Sequence, residues 1–306
     1  MADWTAKDIP DLAGIYAVVT GTGGLGYETA LQLARHGAEI VLAGRNPEKG
    51  AQSLAKIRGL APSAKIVFEA LDLADLKSVA AFAARMNAQG RPIDRLVNNA
   101  GVMAFPTRRT TVDGFEAQFA TNHLGHFALT AGLLPLLRAA KAPRVTTVSS
   151  HAHHIGKIRF GDLQAARRYR PSRAYAQSKL ANLLFMLELQ RRSDAKGWGL
   201  MSNAAHPGGS MTDLFANGPG YRAGLMGRIE WRFMNFIAQS PADGALPQLF
   251  AATSPDAGPA AYYGPQKFFG LGGPPGPARM SKRARDPKVA ARLWEVSQKL
   301  TGATFA

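Results

Sequence analysis

The sequence predicts a doubly wound α/β domain, a parallel sheet covered by helices on both faces. Three observations carry this. Short apolar runs alternate four times with helical periodicity over the first hundred residues. A glycine-rich turn lies between the first run and the first helix, and polar or turn-forming residues close the later runs, where open α/β sheets bind ligands. With 306 residues and 46% hydrophobic content the chain can cover both faces of one sheet, so a single domain over 1–306 is expected.

Ile15-Tyr-Ala-Val-Val-Thr20 reads as the first strand, and the pattern of Ala30, Leu31, Leu33 and Ala34 as the first helix. Between them, Gly21, Thr22, Gly23, Gly24, Leu25 and Gly26 fit G-x-G-x-x-G. The glycines allow a tight turn and close backbone approach, and the helix start offers N–H groups to a pyrophosphate, so a dinucleotide is expected here. The second strand, Glu39 to Ala43, is followed by Gly44-Arg45-Asn46 with no carboxylate. Arg45 therefore favours NADP(H) over NAD(H), because an arginine accommodates the 2′-phosphate. A third strand, Lys65 to Leu71, runs into Asp72 and Leu73, with Asp72 suited to an adenine edge. A helical pattern from Leu76 to Met86 precedes a fourth strand, Ile93 to Val97, ending in Asn98-Asn99-Ala100-Gly101. The fifth, Arg144 to Ser150, closes on Ser149 and Ser150, and the sixth, Leu200 to Ala205, on His206-Pro207-Gly208.

Residues 213–240 are rich in Gly, Arg and aromatic side chains and read as a substrate-binding lid. The Pro- and Gly-rich run 264–280 reads as an irregular surface loop. A last amphipathic helix spans Lys288 to Leu300.

Composition narrows the function. There is no cysteine, which excludes disulfides and thiolate metal sites. The first eleven residues lack the basic-then-apolar pattern of a secretion signal, and no apolar run approaches the roughly 18 residues of a membrane span, so a soluble cytoplasmic protein is expected. The net charge of +16 is concentrated in the second half, where 21 Lys+Arg face 9 Asp+Glu, against 16 and 12 in residues 1–150. This reads as a solvated basic surface rather than a nucleic-acid site. His151, His153 and His154 have no thiol or carboxylate at ligand spacing, so no metal is expected and pocket lining is the alternative. His123 and His126 read as packing residues.

Tyr175 and Lys179, four apart on a helical segment, share one face. An ammonium beside a phenol favours the phenolate; bringing a tyrosine from about 10 to near 7 takes roughly 4 kcal/mol. The helix is apolar nearly all round through Leu183, Leu184, Phe185, Leu187 and Leu189, so it is buried in the core or against a second subunit of a homodimer or homotetramer.

Taken together, the glycine turn, Asn98-Asn-Ala-Gly101, the serine closing strand five, Tyr175-x-x-x-Lys179 and Pro207-Gly208 resemble the short-chain dehydrogenase/reductases. The resemblance is closest to the retinol dehydrogenase-like branch, through Thr121-Asn-His-Leu-Gly-His-Phe127, Ser149-Ser-His-Ala-His-His154 and Ser178-Lys-Leu-Ala-Asn182. It implies a single-domain Rossmann fold and an oxidoreductase that interconverts a small-molecule carbonyl and its alcohol. In that reading Tyr175 is the general acid, Lys179 lowers its pKa and binds the nicotinamide ribose, Ser150 rather than Ser149 holds the substrate oxygen, and Asn122 positions a water relay. Asn99 and Thr212 would contact the adenosine side and the carboxamide of the cofactor, with Leu73, Ala100, Gly101, Pro207 and Gly208 completing its site. The glycine turn is one residue shorter than the family pattern. A cofactor-binding sensor or scaffold with little turnover is the alternative function.

Overall fold

The computed structural model describes residues 3–103, 105–209 and 239–305. One eight-stranded sheet organises them, in the order β3-β2-β1-β4-β5-β6-β7-β8. Its strands are β1 (Tyr16–Thr20), β2 (Glu39–Gly44), β3 (Lys65–Ala70), β4 (Arg95–Asn98), β5 (Arg144–Val148), β6 (Met201–Ala205), β7 (Tyr262–Lys267) and β8 (Gly272–Pro277). All neighbours are parallel except β7 and β8. The chain order reverses between β1 and β4, and this switch point opens a crevice beyond the carboxyl ends of the strands.

Strand alternation divides the core. Val18, Val41, Leu96 and Val145 face one side, where Phe82, Phe127 and Phe185 pack on them. Ala17, Val19, Ile40, Leu42 and Val97 face the other, with Leu33, Ile57 and Leu249. The first layer is built by α3 (Leu76–Gln89), α5 (Gly125–Arg138) and α6 (Pro171–Lys196). The second is built by α1 (Gly24–Arg35), α2 (Pro47–Leu60) and α7 (Pro241–Thr253). A short α4 (Ala117–Phe119) runs through a π-helical turn, Ala120–Leu124, into α5. The last helix, α8 (Pro287–Thr301), packs on α6 through Leu293 and Leu183.

The expected irregular loop at 264–280 is corrected: most of it forms the β7–β8 hairpin. Its composition misleads because Pro cannot donate to a ladder, but β8 is an edge strand and carries Pro274, Pro275 and Pro277 there. The tip is tight, with both Phe268 and Phe269 at positive φ. Leu180, Leu183, Leu184, Phe185, Met186 and Leu189 of α6 are buried within this one chain, so their burial needs no second subunit. Thr212 and the expected lid, apart from Gln239 and Ser240, lie outside the described residues.

Candidate active site

The crevice is a cavity of about 620 Å³. The glycine turn forms its floor at one end. Gly21 takes a φ of +96°, open to glycine at little cost, and a Cβ on Gly26 would run into the Gly21 carbonyl. The turn leads directly into α1, whose first residue, Gly24, faces the cavity. Its shortness is taken up locally: the Ser53 hydroxyl of α2 donates to the Thr22 carbonyl at 2.7 Å, and the Thr22 methyl lies where a Cβ on Gly44 would sit. The shortened turn is thereby pulled against the end of β2, next to Arg45.

Thr22, Gly23 and Leu25 line the cavity with Gly21 and Gly24, followed by Arg45, Asp72 and Leu73. Asn99, Ala100, Gly101, Pro207 and Gly208 complete the wall from the ends of β4 and β6. Gly26 lies beneath this surface. Asn99 also holds the turn, donating its side-chain amide to the Thr20 carbonyl at 2.7 Å. Sequence reasoning missed Asn46 and Lys49, which join Arg45 on the cavity wall beside the glycine turn; a lysine four residues beyond the arginine, in the first turn of α2, was the available signal.

At the other end stand Ser149, Ser150, Tyr175 and Lys179. Proline at the start of α6 fixes the entry of this helix and so the register of Tyr175 and Lys179. The two serines differ. Ser149 donates its hydroxyl to the Lys179 carbonyl at 2.8 Å, whereas Ser150 lines the cavity together with Tyr175. Lys179 is buried and donates to the Val148 carbonyl at 3.1 Å, with its nitrogen 5.7 Å from the Tyr175 ring centre.

These environments reverse the expected direction for the phenol. Burial pushes Tyr175 up to about 12, and the Ser150 side chain draws it only partway back. Burial also brings Lys179 down to about 8. The sequence places an ammonium beside the tyrosine but does not reveal how dry the site is. A protonated tyrosine of this kind is a proton donor at neutral pH.

Asn122 is drawn back from the cavity into the π-helical turn, a feature that often marks functional positions. Its side chain accepts from the Val102 N–H at 2.8 Å and donates to the Val102 carbonyl at 3.0 Å and the Ser178 hydroxyl at 2.9 Å. Thr121 reaches the cavity instead. His126 is a packing residue that meets the Thr20 hydroxyl at 2.9 Å, and His123 meets Ser297 at the same distance. The histidines at 151, 153 and 154 do not line the cavity; their neighbours Ala152 and Ile155 do. Among the described residues no cluster of His, Asp or Glu could hold a metal.

A glycine turn at the switch point, with a serine, a tyrosine and a buried lysine at the far end of one crevice, defines a nicotinamide-dependent oxidoreductase. The model of the short chain dehydrogenase family matches residues 15–219, and the chain belongs to that family, in its retinol dehydrogenase-like branch. It is 41% identical over 294 residues to retinol dehydrogenase 12 of Mus musculus, covering 95% of this chain and 87% of that protein. It is 41% identical over 311 residues to polyprenol dehydrogenase of Mus musculus, covering 98% and 88%. A crystal structure from Mycobacterium paratuberculosis superposes with a TM-score of 0.82 at 41% identity, over 100% of both chains. A short chain dehydrogenase from Shigella flexneri 2a, complexed with NADP, superposes at 0.60 with 25% identity, over 80% of this chain and 93% of that one. The protein is accordingly an enzyme acting on CH–OH or C=O groups.

Proposed function

We propose that this enzyme uses NADP(H) to interconvert an aldehyde or ketone and its alcohol on a lipophilic or aromatic small molecule, in the cytoplasm. The observation that carries the reading is the meeting of Ser150 and Tyr175 at one end of a crevice whose other end presents Arg45 and Lys49. The residues suit the cofactor: Gly21 to Leu25 line the cavity at the start of α1, where a pyrophosphate is favoured, and the two cations suit a 2′-phosphate. Retinol and polyprenol, named in two relatives, are alcohols on long apolar chains, which supports a substrate of that kind.

The nicotinamide supplies the hydride when bound. In reduction, Tyr175 gives its phenolic proton to the carbonyl oxygen while Ser150 donates a hydrogen bond to the same atom, so charge developing there is met from two sides. Lys179 holds positive charge beneath them. Asn122 ties the backbone at Val102 to Ser178 of α6, the residue before Lys179. A cofactor-binding scaffold would have no need of a serine and a tyrosine sharing the cavity wall with a buried lysine. The test is a panel of aldehydes, ketones and alcohols, long apolar chains included, assayed with NADPH and NADH on the wild type and Tyr175→Phe. The variant is expected to lose about 10²–10⁴-fold in kcat while still binding cofactor. Full turnover by Tyr175→Phe would remove the tyrosine from the mechanism, and tight cofactor binding with no turnover on any substrate would favour the sensor reading.

A further inference from the structure

Ser150 does not stand on a strand. It follows β5 and caps a 3-10 turn, His151–Ile155, accepting the Ala152 N–H on its side-chain oxygen at 3.2 Å. A turn this short has few hydrogen bonds of its own, so its position depends on what grips it.

The grip comes from His153, which is 1% exposed. Its Nδ1 lies 2.7 Å from the Ser150 carbonyl, and its Nε2 accepts the Ser281 N–H at 3.2 Å. A carbonyl can only accept and an N–H can only donate, so both contacts are satisfied by one form alone: the neutral imidazole with its proton on Nδ1. Tyr262 meets the ring edge-on at 5.5 Å between centres, and His154 lies 4.0 Å away, which leaves the ring little freedom to turn. Burial brings His153 down to about 4, in keeping with a neutral ring.

Ser281 belongs to an arm that precedes α8. Its hydroxyl accepts the Ala284 N–H at 3.2 Å, capping the turn Lys282–Arg285, and Arg283 donates to the Gly156 carbonyl at 3.0 Å. The arm therefore holds the serine turn at both ends. These residues lie beyond 15–219, the part matched by the family model, so the brace is supplied by the C-terminal part of this chain.

We propose that His153 is a positioning residue that sets the orientation of Ser150 by tying its carbonyl to the backbone of the C-terminal arm. The proposal rests on the reading of Ser150 as the residue that binds the substrate oxygen. It differs from ordinary packing in requiring one tautomer and one backbone N–H.

Both requirements are testable on the whole protein. Selective ¹⁵N labelling of histidine at pH 7 is expected to show an Nδ1–H imidazole whose signal disappears in His153→Asn. An Nε2–H signal lost in that variant overturns the proposal without reference to activity. His153→Asn removes the Nε2 acceptor, and Ser281→Pro removes the N–H at a residue whose φ of −62° already suits proline. Each is expected to lower kcat roughly 10- to 100-fold with cofactor Kd unchanged. The double variant should lose no more than either single, since both break one link. Ser281→Ala keeps the N–H and is expected to lose less than Ser281→Pro. Undiminished kcat in His153→Asn, or losses that multiply in the double variant, overturn the proposal. Ser150→Ala separates the two readings: full turnover there overturns the role of the serine and the proposal with it, whereas loss there with none in His153→Asn overturns the brace alone.

Discussion

Raising the pH from 7 to 10 should extinguish carbonyl reduction, through Lys179 rather than Tyr175. Reduction needs the phenol protonated, a condition that holds up to about 12. It also needs the cation beneath the site, and burial has lowered Lys179 to about 8. A lowered lysine is charged below its pKa and neutral above it, so the active form is present at pH 7 and lost as pH rises through 8. Above 8 the cationic fraction falls tenfold per pH unit, leaving about one ammonium in a hundred at pH 10. The assay is initial-rate NADPH oxidation at low carbonyl concentration, because kcat/KM reports groups in the free enzyme. A plateau to about pH 8 and then a decline approaching hundredfold by pH 10 is expected. Lys179→Arg, if it turns over, should flatten the profile because a guanidinium keeps its charge. A rate constant from pH 7 to 10, or a decline centred where an ordinary lysine titrates, would refute the reasoning.

Three further outcomes follow from other parts of the molecule. Arg45→Asp should lower the NADPH-over-NADH preference roughly tenfold or more, the worth of a charge-assisted hydrogen bond, and Lys49→Glu should act in the same direction; unchanged ratios of kcat/KM would remove both from cofactor selection. Gly26→Ala should weaken cofactor binding at least as severely, measured by nucleotide fluorescence, because the added methyl meets the Gly21 carbonyl and the Asn99 amide. Glu116, buried at 1% exposure, accepts the N–H groups of Gln118 at 3.0 Å and Phe119 at 2.8 Å; Glu116→Ala should cost about 1–2 kcal/mol in urea unfolding, with the cofactor site intact.

What could be read in advance, and what could not, follows from the range of the forces involved. The first six strands and the glycine turn were legible because short continuous apolar runs and turn chemistry are local, and the observed bounds differ from the expected ones by a residue or two. Many of the crevice residues followed from strand ends, Tyr175 and Lys179 from their spacing on a helix, and Asn46 and Lys49 were missed. The β7–β8 hairpin was not legible, because prolines that forbid a central strand are harmless on an edge, and edge status depends on the whole sheet. The phenol of Tyr175 was misjudged in direction, since spacing places Lys179 on its face but says nothing of the water excluded around both. The link from His153 to Ser281 spans 128 residues of chain, and no local pattern announces it. Nor could the shortened glycine turn be weighed until Ser53 was seen to hold it against β2.

These long-range contacts share a logic. Tyr175 and Lys179 need no external brace, because the middle of α6 is buried and the helix fixes both by its own hydrogen bonds. Two groups that leave regular structure are tied instead: Thr22 by Ser53, Ser150 by His153. Each tie uses a side chain to hold a backbone carbonyl, which leaves the side chain of the held residue available to the crevice. A site assembled this way keeps its proton donor in place on a packed helix and its loop groups in place by one bond each. Loss of a tie should therefore appear as misplacement, with kcat falling while the fold and the opposite end of the crevice remain intact.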